Sequence, residues 1–216
     1  MLPEDLVAAF LGLSLALVLV RAVYESRKFH RSKKEPARLE AESAANEPLI
    51  TLSAVFVVIF YLEMASYVMM VVVGLQDVLV RSYVQLQFPF DSSVQAFGAA
   101  TMVFGYITVF LSLHALDYDK LVIWGPYHYV RHPQYFGYCI IFAGFFLLLL
   151  NPVALAPFLS IPGEVRMANL EEEYLTKKFG DSYVNYQKTT GKFFPKLSRI
   201  QKTGFKVEDQ GRRSES

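Results

Sequence analysis

Long apolar stretches alternate with short charged segments along this chain of 216 residues. Five stretches contain no Asp, Glu, Lys or Arg, namely residues 6–20, 49–62, 64–75, 94–113 and 135–161. A helix needs about 20 predominantly apolar residues to cross a bilayer. The pattern therefore predicts three membrane-spanning helices, over about residues 3–24, 49–75 and 94–116.

The basic residues indicate how these helices are oriented, because cytosolic loops next to membrane helices collect Lys and Arg. Residues 21–48 hold seven of the 21 basic residues, 117–134 hold two and the tail from 163 onward holds eleven. The loop 81–93 holds only Arg81. If the first span runs from outside to inside, twenty of the 21 lie on one side, and the tail is predicted to be cytosolic.

The last apolar stretch, residues 135–161, is predicted to be a hairpin rather than a crossing. A crossing would place the eleven basic residues of the tail on the opposite side of the membrane. The stretch also contains Asn151-Pro152 and Pro157, and proline breaks a helix because it lacks the backbone N–H. The predicted fold is an all-α, polytopic membrane helical bundle with about five membrane helices, including this C-terminal hairpin, followed by a cytosolic amphipathic helix.

Composition changes along the chain predict three segments. Residues 1–93 would form the N-terminal membrane helices, with a basic cytosolic linker at 25–48. Residues 94–197 would form the core that carries chemistry, and residues 198–216 a flexible polar tail.

Several classes of function are disfavoured by what the sequence lacks. The 21 basic and 20 acidic residues nearly cancel, so the charge gives no argument for nucleic acid binding. The single cysteine, Cys139, excludes an internal disulfide and a CxxC site, and no metal site is predicted. No GxG, GxxxxGK[ST], HExxH or GxSxG motif occurs, so a soluble-type cofactor fold is not supported. Glu63 lies within the second span, where a structural pairing and a functional role are both open.

The first segment with candidate chemistry is the loop 125–137, which reads GPYHYVRHPQYFG. Two histidines, an arginine and three tyrosines crowd here at the start of the hairpin. Histidine titrates near neutral pH, and aromatic rings can enclose a flat or cationic group. The loop is therefore expected to form a cofactor cradle, the alternative being an interfacial loop with a belt of aromatic side chains.

The second segment, residues 171–186, begins with three consecutive glutamates. On a helical wheel over residues 165–179, four apolar side chains flank the direction of Glu171. Glu173 points to the opposite, solvated face, and Glu172 lies at the edge. Because a carboxylate on an apolar face is costly without a partner, Glu171 is the strongest single candidate for a functional residue.

Together the two segments resemble the isoprenylcysteine carboxyl methyltransferase family and its phospholipid methyltransferase relatives, which are membrane enzymes that use S-adenosylmethionine. The family pattern is G-x-Y, three residues, R-H-P-x-Y-x-G, an apolar hairpin, then E-E-x-x-L, three residues, F-G-x-x-Y-x-x-Y. The chain supplies Gly125, Tyr127, Arg131, His132, Pro133, Tyr135 and Gly137, then Glu171, Glu172, Leu175, Phe179, Gly180, Tyr183 and Tyr186. The resemblance covers about residues 94–197 and not residues 1–93.

The resemblance implies a set of site residues. S-adenosylmethionine would contact Asp119, Lys120, Leu121, Val122, Tyr127, His132, Pro133, Gln134, Tyr135, Glu171 and Glu172. The catalytic set would be Glu171, Arg166 and His132, because an arginine shortly before the glutamate pair binds the acceptor in the family. Arg166 is the nearest arginine, five residues before Glu171 rather than four, and the wheel directs it to the polar face.

The implied activity is methyl transfer from S-adenosylmethionine to a lipid-borne acceptor that enters from the bilayer, with a prenylcysteine-type carboxylate as the first choice. A phospholipid amine is the alternative acceptor and would need Glu171, Glu172 or a histidine to accept its proton. An NADPH-dependent sterol or enone reductase and a non-catalytic membrane scaffold are further alternatives. The expected location is the endoplasmic reticulum in a eukaryote and the inner membrane in a bacterium.

Overall fold

In the computed structural model, the structure is described for residues 1–31, 47–75, 86 and 90–196. These residues form six α-helices: α1 Glu4–Arg31, α2 Pro48–Val72, α3 Asp91–Ala115, α4 Pro133–Leu149, α5 Ile161–Phe179 and α6 Asp181–Thr189. Two 3₁₀ segments, Gly125–His128 and Pro152–Ser160, complete the regular structure of the described residues. The predicted all-α fold is confirmed. Most of the predicted linker and the whole polar tail lie outside the described residues.

Three of the helices, α1, α2 and α3, are long and apolar enough to cross a membrane. Each provides 25 suitable residues, which at about 1.5 Å per residue exceeds the roughly 30 Å of a bilayer core. They coincide with the three predicted spans. Helix α4 is also apolar but has only 17 residues, so the total of five membrane helices stays a prediction.

The chain reverses after α4 as expected, but the return limb is not an α-helix. Leu150 ends α4 in a left-handed conformation with φ 51°, and the side chain of Asn151 accepts a hydrogen bond from the backbone N–H of Val153 at 2.9 Å. The nine residues Pro152–Ser160 then form a 3₁₀ helix. Pro157 explains the difference, because inside an α-helix it would remove a backbone donor and clash with the turn before it, whereas Pro152 stands at the first position, where a helix tolerates proline.

The closest helix packing, between α3 and α4, depends on glycines. Gly98 and Gly105 lie two turns apart on α3, and Gly137 and Gly144 lie two turns apart on α4. A Cβ built on Gly98 would lie 2.8 Å from the carbonyl oxygen of Gly144, and one on Gly105 would lie 2.9 Å from that of Gly137. The two backbones therefore touch directly, as in other membrane helix pairs with small residues at the interface. This packing fixes the start of α4, which carries the candidate site.

Helix α2 buries one face against the hairpin. The ring of Phe60 packs edge-on against the rings of Phe142 and Phe145, with centroids 5.2 and 4.9 Å apart. The hydroxyl of Ser53 donates to the carbonyl of Ser160 at 2.8 Å, at the point where α5 begins. Glu63 is buried on the same helix, and neither carboxylate oxygen has a hydrogen-bond partner among the described residues.

Candidate active site

The loop in front of α4 is held in place by the segment that follows α6. Arg131 and His132 donate their backbone N–H groups to the carbonyls of Gly191 and Lys192, at 2.8 and 3.0 Å. Proline disfavours a helical conformation in the residue before it, and His132 accordingly lies just outside α4, with φ −122°. Pro133 then begins the helix. The His132 side chain, 4% exposed, is thereby fixed at the N-terminus of α4.

Glu172 joins this loop to α5. Its Oε1 accepts hydrogen bonds from Nε of Arg131 at 2.9 Å and pairs with Nε2 of His132 at 3.0 Å. Burial alone would raise the pKa of Glu172, but hydrogen bonds from His132 and Arg131, together with the charges of Arg131 and Lys192, lower it to about 2. Glu172 is therefore ionised and binds the basic residues of the loop, which makes it a structural link rather than part of the pocket surface.

His132 lies between two glutamates. Its Nδ1 is 3.3 Å from Oε2 of Glu171, and its Nε2 faces Glu172. Burial lowers the pKa of His132, but the hydrogen bonds and the negative charges of the two glutamates outweigh burial and raise it. The two carboxylates thus stabilise the protonated form of His132, and the contact with Nδ1 holds the Glu171 carboxylate at a defined position.

Glu171 carries the carboxylate that faces the candidate pocket. The hydroxyl of Tyr135 donates to its Oε1 at 2.6 Å, and the side chain is 42% exposed. The Glu172 side chain, at 15% exposed, is the more buried of the two, although the wheel had placed Glu172 at the edge. The wheel could not show this, because it represents α5 alone, whereas the loop and α6 cover Glu172. Glu173 is exposed, as the wheel predicted.

These residues surround a pocket, here called the site pocket, with an empty volume of about 1050 Å³. It is lined by Glu25, Leu116, Asp117, Tyr118, Tyr127, Arg131, His132, Pro133, Gln134, Tyr135, Glu171, Tyr174, Leu175, Lys178 and Phe179. The structure thus brings together six of the residues implied by the resemblance: Tyr127, His132, Pro133, Gln134, Tyr135 and Glu171.

The other implied residues lie elsewhere. Asp119, Lys120, Leu121 and Val122 do not line the site pocket, and the preceding residues 116–118 do. Asp119 and Lys120 are exposed, and Val122 is buried against Ala115 and Tyr127.

Arg166 also lies away from the site pocket. Its Nη2 pairs with Oε1 of Glu47, just before α2, at 2.7 Å. The structure therefore does not place Arg166 in the site pocket, although the resemblance implies that Arg166 contacts the acceptor. The helical wheel, which directed Arg166 to the polar face, agrees with the structure.

Sequence reasoning missed several residues of the site pocket. Tyr174, Leu175 and Lys178 lie three, four and seven residues after Glu171, so they share one face of α5, and that spacing could have identified them. Lys178 donates to the carbonyl of Tyr118, which ties α5 to the segment after α3. Nothing in the sequence links Glu25, on α1, to the other residues of the site pocket.

A second cavity, here called the bundle cavity, lies between α1, α2, α3, α4 and α5 and has about 700 Å³ of empty volume. Its lining comprises Leu17, Val18, Arg21, Val57, Phe60, Tyr61, Tyr106, Val109, Phe110, Tyr138, Ile141, Phe142 and Glu164. Apart from the charged side chains of Arg21 and Glu164 and three tyrosines, these residues are apolar. The cavity is therefore a mainly apolar space with one basic and one acidic group.

Except for Glu25, the residues that line the site pocket belong to a segment that is similar to known proteins. Residues 92–182 match the family model described as phospholipid methyltransferase. The resemblance to this family is confirmed for residues 92–182. We call residues 92–182 the family segment. It includes α3 from its second residue onward, the loop 125–132 in front of α4 (here called the His132 loop), the hairpin and α5.

Two curated relatives are similar to part of the chain. One is protein-S-isoprenylcysteine O-methyltransferase of Dictyostelium discoideum, 32% identical over 113 residues, covering 45% of this chain and 48% of the relative. The other is protein-S-isoprenylcysteine O-methyltransferase B of Arabidopsis thaliana, 32% identical over 81 residues, covering 37% of this chain and 41% of the relative. The chain thus spans less than half the length of each relative. Helices α1 and α2 lie outside the family segment, although Glu25 reaches its pocket.

The contacts of Glu172 with Arg131 and His132 predict how the stability of the protein depends on pH. The pKa of Glu172 is lowered from 4.5 to about 2, so its ionised form stabilises the fold above pH 4.5. This stabilisation should be lost as the pH falls from about 4.5 to about 2. We expect the melting temperature of the detergent-solubilised protein to fall over this range, and less steeply in Glu172→Gln, which should already be less stable at pH 7. Parallel pH curves for the two proteins would contradict the role assigned to Glu172.

Proposed function

We propose that the protein is a membrane methyltransferase that transfers a methyl group from S-adenosylmethionine to the carboxylate of a prenylcysteine-type, lipid-borne acceptor. The observation that carries the proposal is the site pocket, where the His132 loop and the Glu171 face of α5 meet beside the mainly apolar bundle cavity. The family segment and the names of the two relatives support the same activity.

The site pocket suits S-adenosylmethionine in the chemistry of its lining, which combines apolar and aromatic side chains with a few polar groups. Tyr127, Tyr135 and Tyr174 line the pocket, and aromatic rings attract cations such as a sulfonium. The half-exposed carboxylate of Glu171 can accept hydrogen bonds from an ammonium group, and Phe179 provides an apolar surface for a base.

Methyl transfer to a carboxylate needs orientation more than acid–base catalysis. S-adenosylmethionine, held by the residues of the site pocket, would supply an electrophilic methyl group to a carboxylate oxygen, and the electron pair of the broken carbon–sulfur bond would stay on sulfur. No proton has to be removed from the acceptor. The task of the protein is then to align the two reactants, which is worth about 7 to 11 kcal/mol in well-oriented intramolecular reactions.

The position of the two cavities fits separate routes for the two reactants. An acceptor with a lipid chain can reach the bundle cavity from the bilayer, between helices that are long and apolar enough to span it. A water-soluble cofactor would enter the site pocket from the cytosol, which requires the orientation expected from the basic residues. That orientation and a location in the endoplasmic reticulum or an inner membrane are part of the proposal.

A phospholipid amine is the second candidate acceptor, and Glu164 is the observation that favours it. Burial, followed by the charge of Glu171, raises the pKa of Glu164 to about 7, although Arg21 opposes the shift. A carboxylate with a pKa near neutrality can take the proton that an ammonium headgroup must lose before it attacks a methyl group. An amine acceptor therefore requires a base such as Glu164 in the bundle cavity, whereas a carboxylate acceptor requires none.

The experiment uses purified, detergent-solubilised protein. We expect S-adenosylhomocysteine, but not NADPH, to raise its melting temperature. Radiolabelled S-adenosylmethionine should transfer its methyl group to N-acetyl-S-farnesylcysteine and not to phosphatidylethanolamine. Transfer only to phosphatidylethanolamine would support the second candidate. The absence of a shift with S-adenosylhomocysteine would contradict both, and a shift with NADPH alone would favour a reductase.

A further inference from the structure

The bundle cavity continues the site pocket along the same three helices. Each helix contributes to both spaces, and the nearest charged or tyrosine pairs are Arg21 and Glu25 on α1, Tyr138 and Tyr135 on α4, and Glu164 and Glu171 on α5. The spacings of four, three and seven residues correspond to about 6, 4.5 and 10.5 Å along a helix. A ligand in one space is therefore within one to two helical turns of a ligand in the other.

The two spaces adjoin at the ion pair of Arg21, which lines the bundle cavity, with Glu25, which lines the site pocket, at 2.8 Å. Tyr118 lines the site pocket, and burial raises the pKa of its hydroxyl. The charges of Glu25 and Glu171 raise it further, whereas that of Arg21 in the bundle cavity lowers it. The Arg21 cation is therefore close enough to act on groups of the site pocket.

Arg21 is fixed in position but keeps donor capacity. Its Nη2 donates to Oε2 of Glu25 at 2.8 Å, and its guanidinium carbon lies 5.0 Å from the centre of the Tyr138 ring. The side chain is 20% exposed, and its Nε is buried without a hydrogen-bond acceptor among the described residues. A guanidinium carries five N–H donors, and the bond from Nη2 to Glu25 uses one of them, so the exposed part of the group can still bind a second carboxylate.

The surroundings of Arg21 indicate which kind of anion would bind. Apart from Arg21 and Glu164, the described lining of the bundle cavity is aliphatic or aromatic, including Phe60 and Phe142. Beyond the hydroxyls of three tyrosines, such walls offer little to a small hydrophilic anion, whereas an anion attached to a lipid chain buries that chain at about 25 cal/mol per Å² of apolar surface. The chemistry therefore matches a carboxylate at the end of an isoprenoid or similar hydrocarbon.

We propose that Arg21, on a helix outside the family segment, binds the carboxylate of the methyl acceptor in the bundle cavity and directs it toward the site pocket. This inference rests on the proposed function and names the residue that selects a carboxylate acceptor. It replaces Arg166, which pairs with Glu47 away from both cavities. Arg21 is a specificity-determining residue, because it discriminates a charged headgroup from a neutral one.

The test measures binding without turnover, so that it does not depend on methyl transfer. Two probes are compared, N-acetyl-S-farnesylcysteine and its carboxamide, which has nearly the same shape but no charge. The wild type should bind the carboxylate at least about tenfold more tightly, as expected for one charge-assisted hydrogen bond. In Arg21→Gln this preference should fall below about twofold, and Arg21→Lys should keep part of it.

Two controls separate this role from a general loss of structure. Arg27→Gln removes an exposed arginine from the same helix and should leave the preference unchanged. S-adenosylhomocysteine should still raise the melting temperature of Arg21→Gln, which shows that the site pocket is intact.

The outcomes distinguish the two proposals. A wild-type preference for the carboxylate that persists in Arg21→Gln would overturn the assignment of Arg21, as would loss of S-adenosylhomocysteine binding in that variant. If the wild type binds the carboxylate through Arg21 but methylates only phosphatidylethanolamine, Arg21 is an anion-binding residue, and both its assignment to the methyl acceptor and the proposed acceptor are wrong. If the wild type shows no preference between the probes, the Arg21 proposal fails even when methyl transfer is observed.

Discussion

Replacing Glu171 with glutamine is expected to weaken S-adenosylhomocysteine binding by about tenfold or more. At a ligand concentration near the wild-type Kd, S-adenosylhomocysteine should then no longer raise the melting temperature. The Glu171 carboxylate lines the site pocket and is held by Tyr135 and His132, at 2.6 and 3.3 Å. A hydrogen bond to a charged group contributes about 1.5 to 3 kcal/mol, which corresponds to about a tenfold to hundredfold change in affinity. The change from carboxylate to amide keeps the shape and removes the charge.

Glu173→Gln is the matched control, because it makes the same chemical change two residues away on the exposed face of α5. It should leave the shift unchanged. His132→Ala should also abolish the shift, and it should lower the melting temperature of the ligand-free protein, because His132 contacts Glu172 as well. Equal effects of Glu171→Gln and Glu173→Gln would contradict the assignment of the pocket-facing carboxylate.

The membrane helices were predictable because the pattern that specifies them is local. A predominantly apolar stretch of about 20 residues identifies a candidate span, and α1, α2 and α3 lie where three such stretches predict them. The reversal after α4 followed from Asn151-Pro152 and from the distribution of basic residues. The 3₁₀ geometry of Pro152–Ser160 was not predicted, because the length of an apolar stretch does not distinguish an α-helix from a tighter one.

The candidate site was predictable only in part, because its residues come from separate elements. The spacing along α5 identified Glu171 and excluded Glu173. The same spacing placed Glu172 at the edge of the apolar face, but it could not show that Glu172 meets Arg131, which lies 41 residues earlier in the chain. The contribution of Glu25 was not predictable for the same reason, since α1 reaches the site pocket only through the packing of the bundle.

Replacing Gly144 with alanine should destabilise the protein strongly, although alanine is the better helix former. A Cβ at this position would lie 2.6 Å from both the carbonyl oxygen of Gly98 and the backbone nitrogen of Met102. Both atoms belong to the backbone of α3, so no side chain can move aside and the two helices must separate. Overpacking of this kind costs about 1 to 3 kcal/mol, and here it should be at or above the upper end.

Gly12→Ala is the control, because it makes the same substitution in α1, where a Cβ would have no neighbour within 4 Å. Removing a glycine from a helix interior stabilises it by about 0.5 to 1 kcal/mol, so the melting temperature should stay the same or rise. In Gly144→Ala it should fall by several degrees, and S-adenosylhomocysteine binding should weaken as well, because α4 carries Pro133 and Tyr135 into the site pocket. A Gly144→Ala protein with wild-type stability and ligand binding would mean that α3 and α4 do not meet backbone to backbone, and that the site pocket does not depend on their contact.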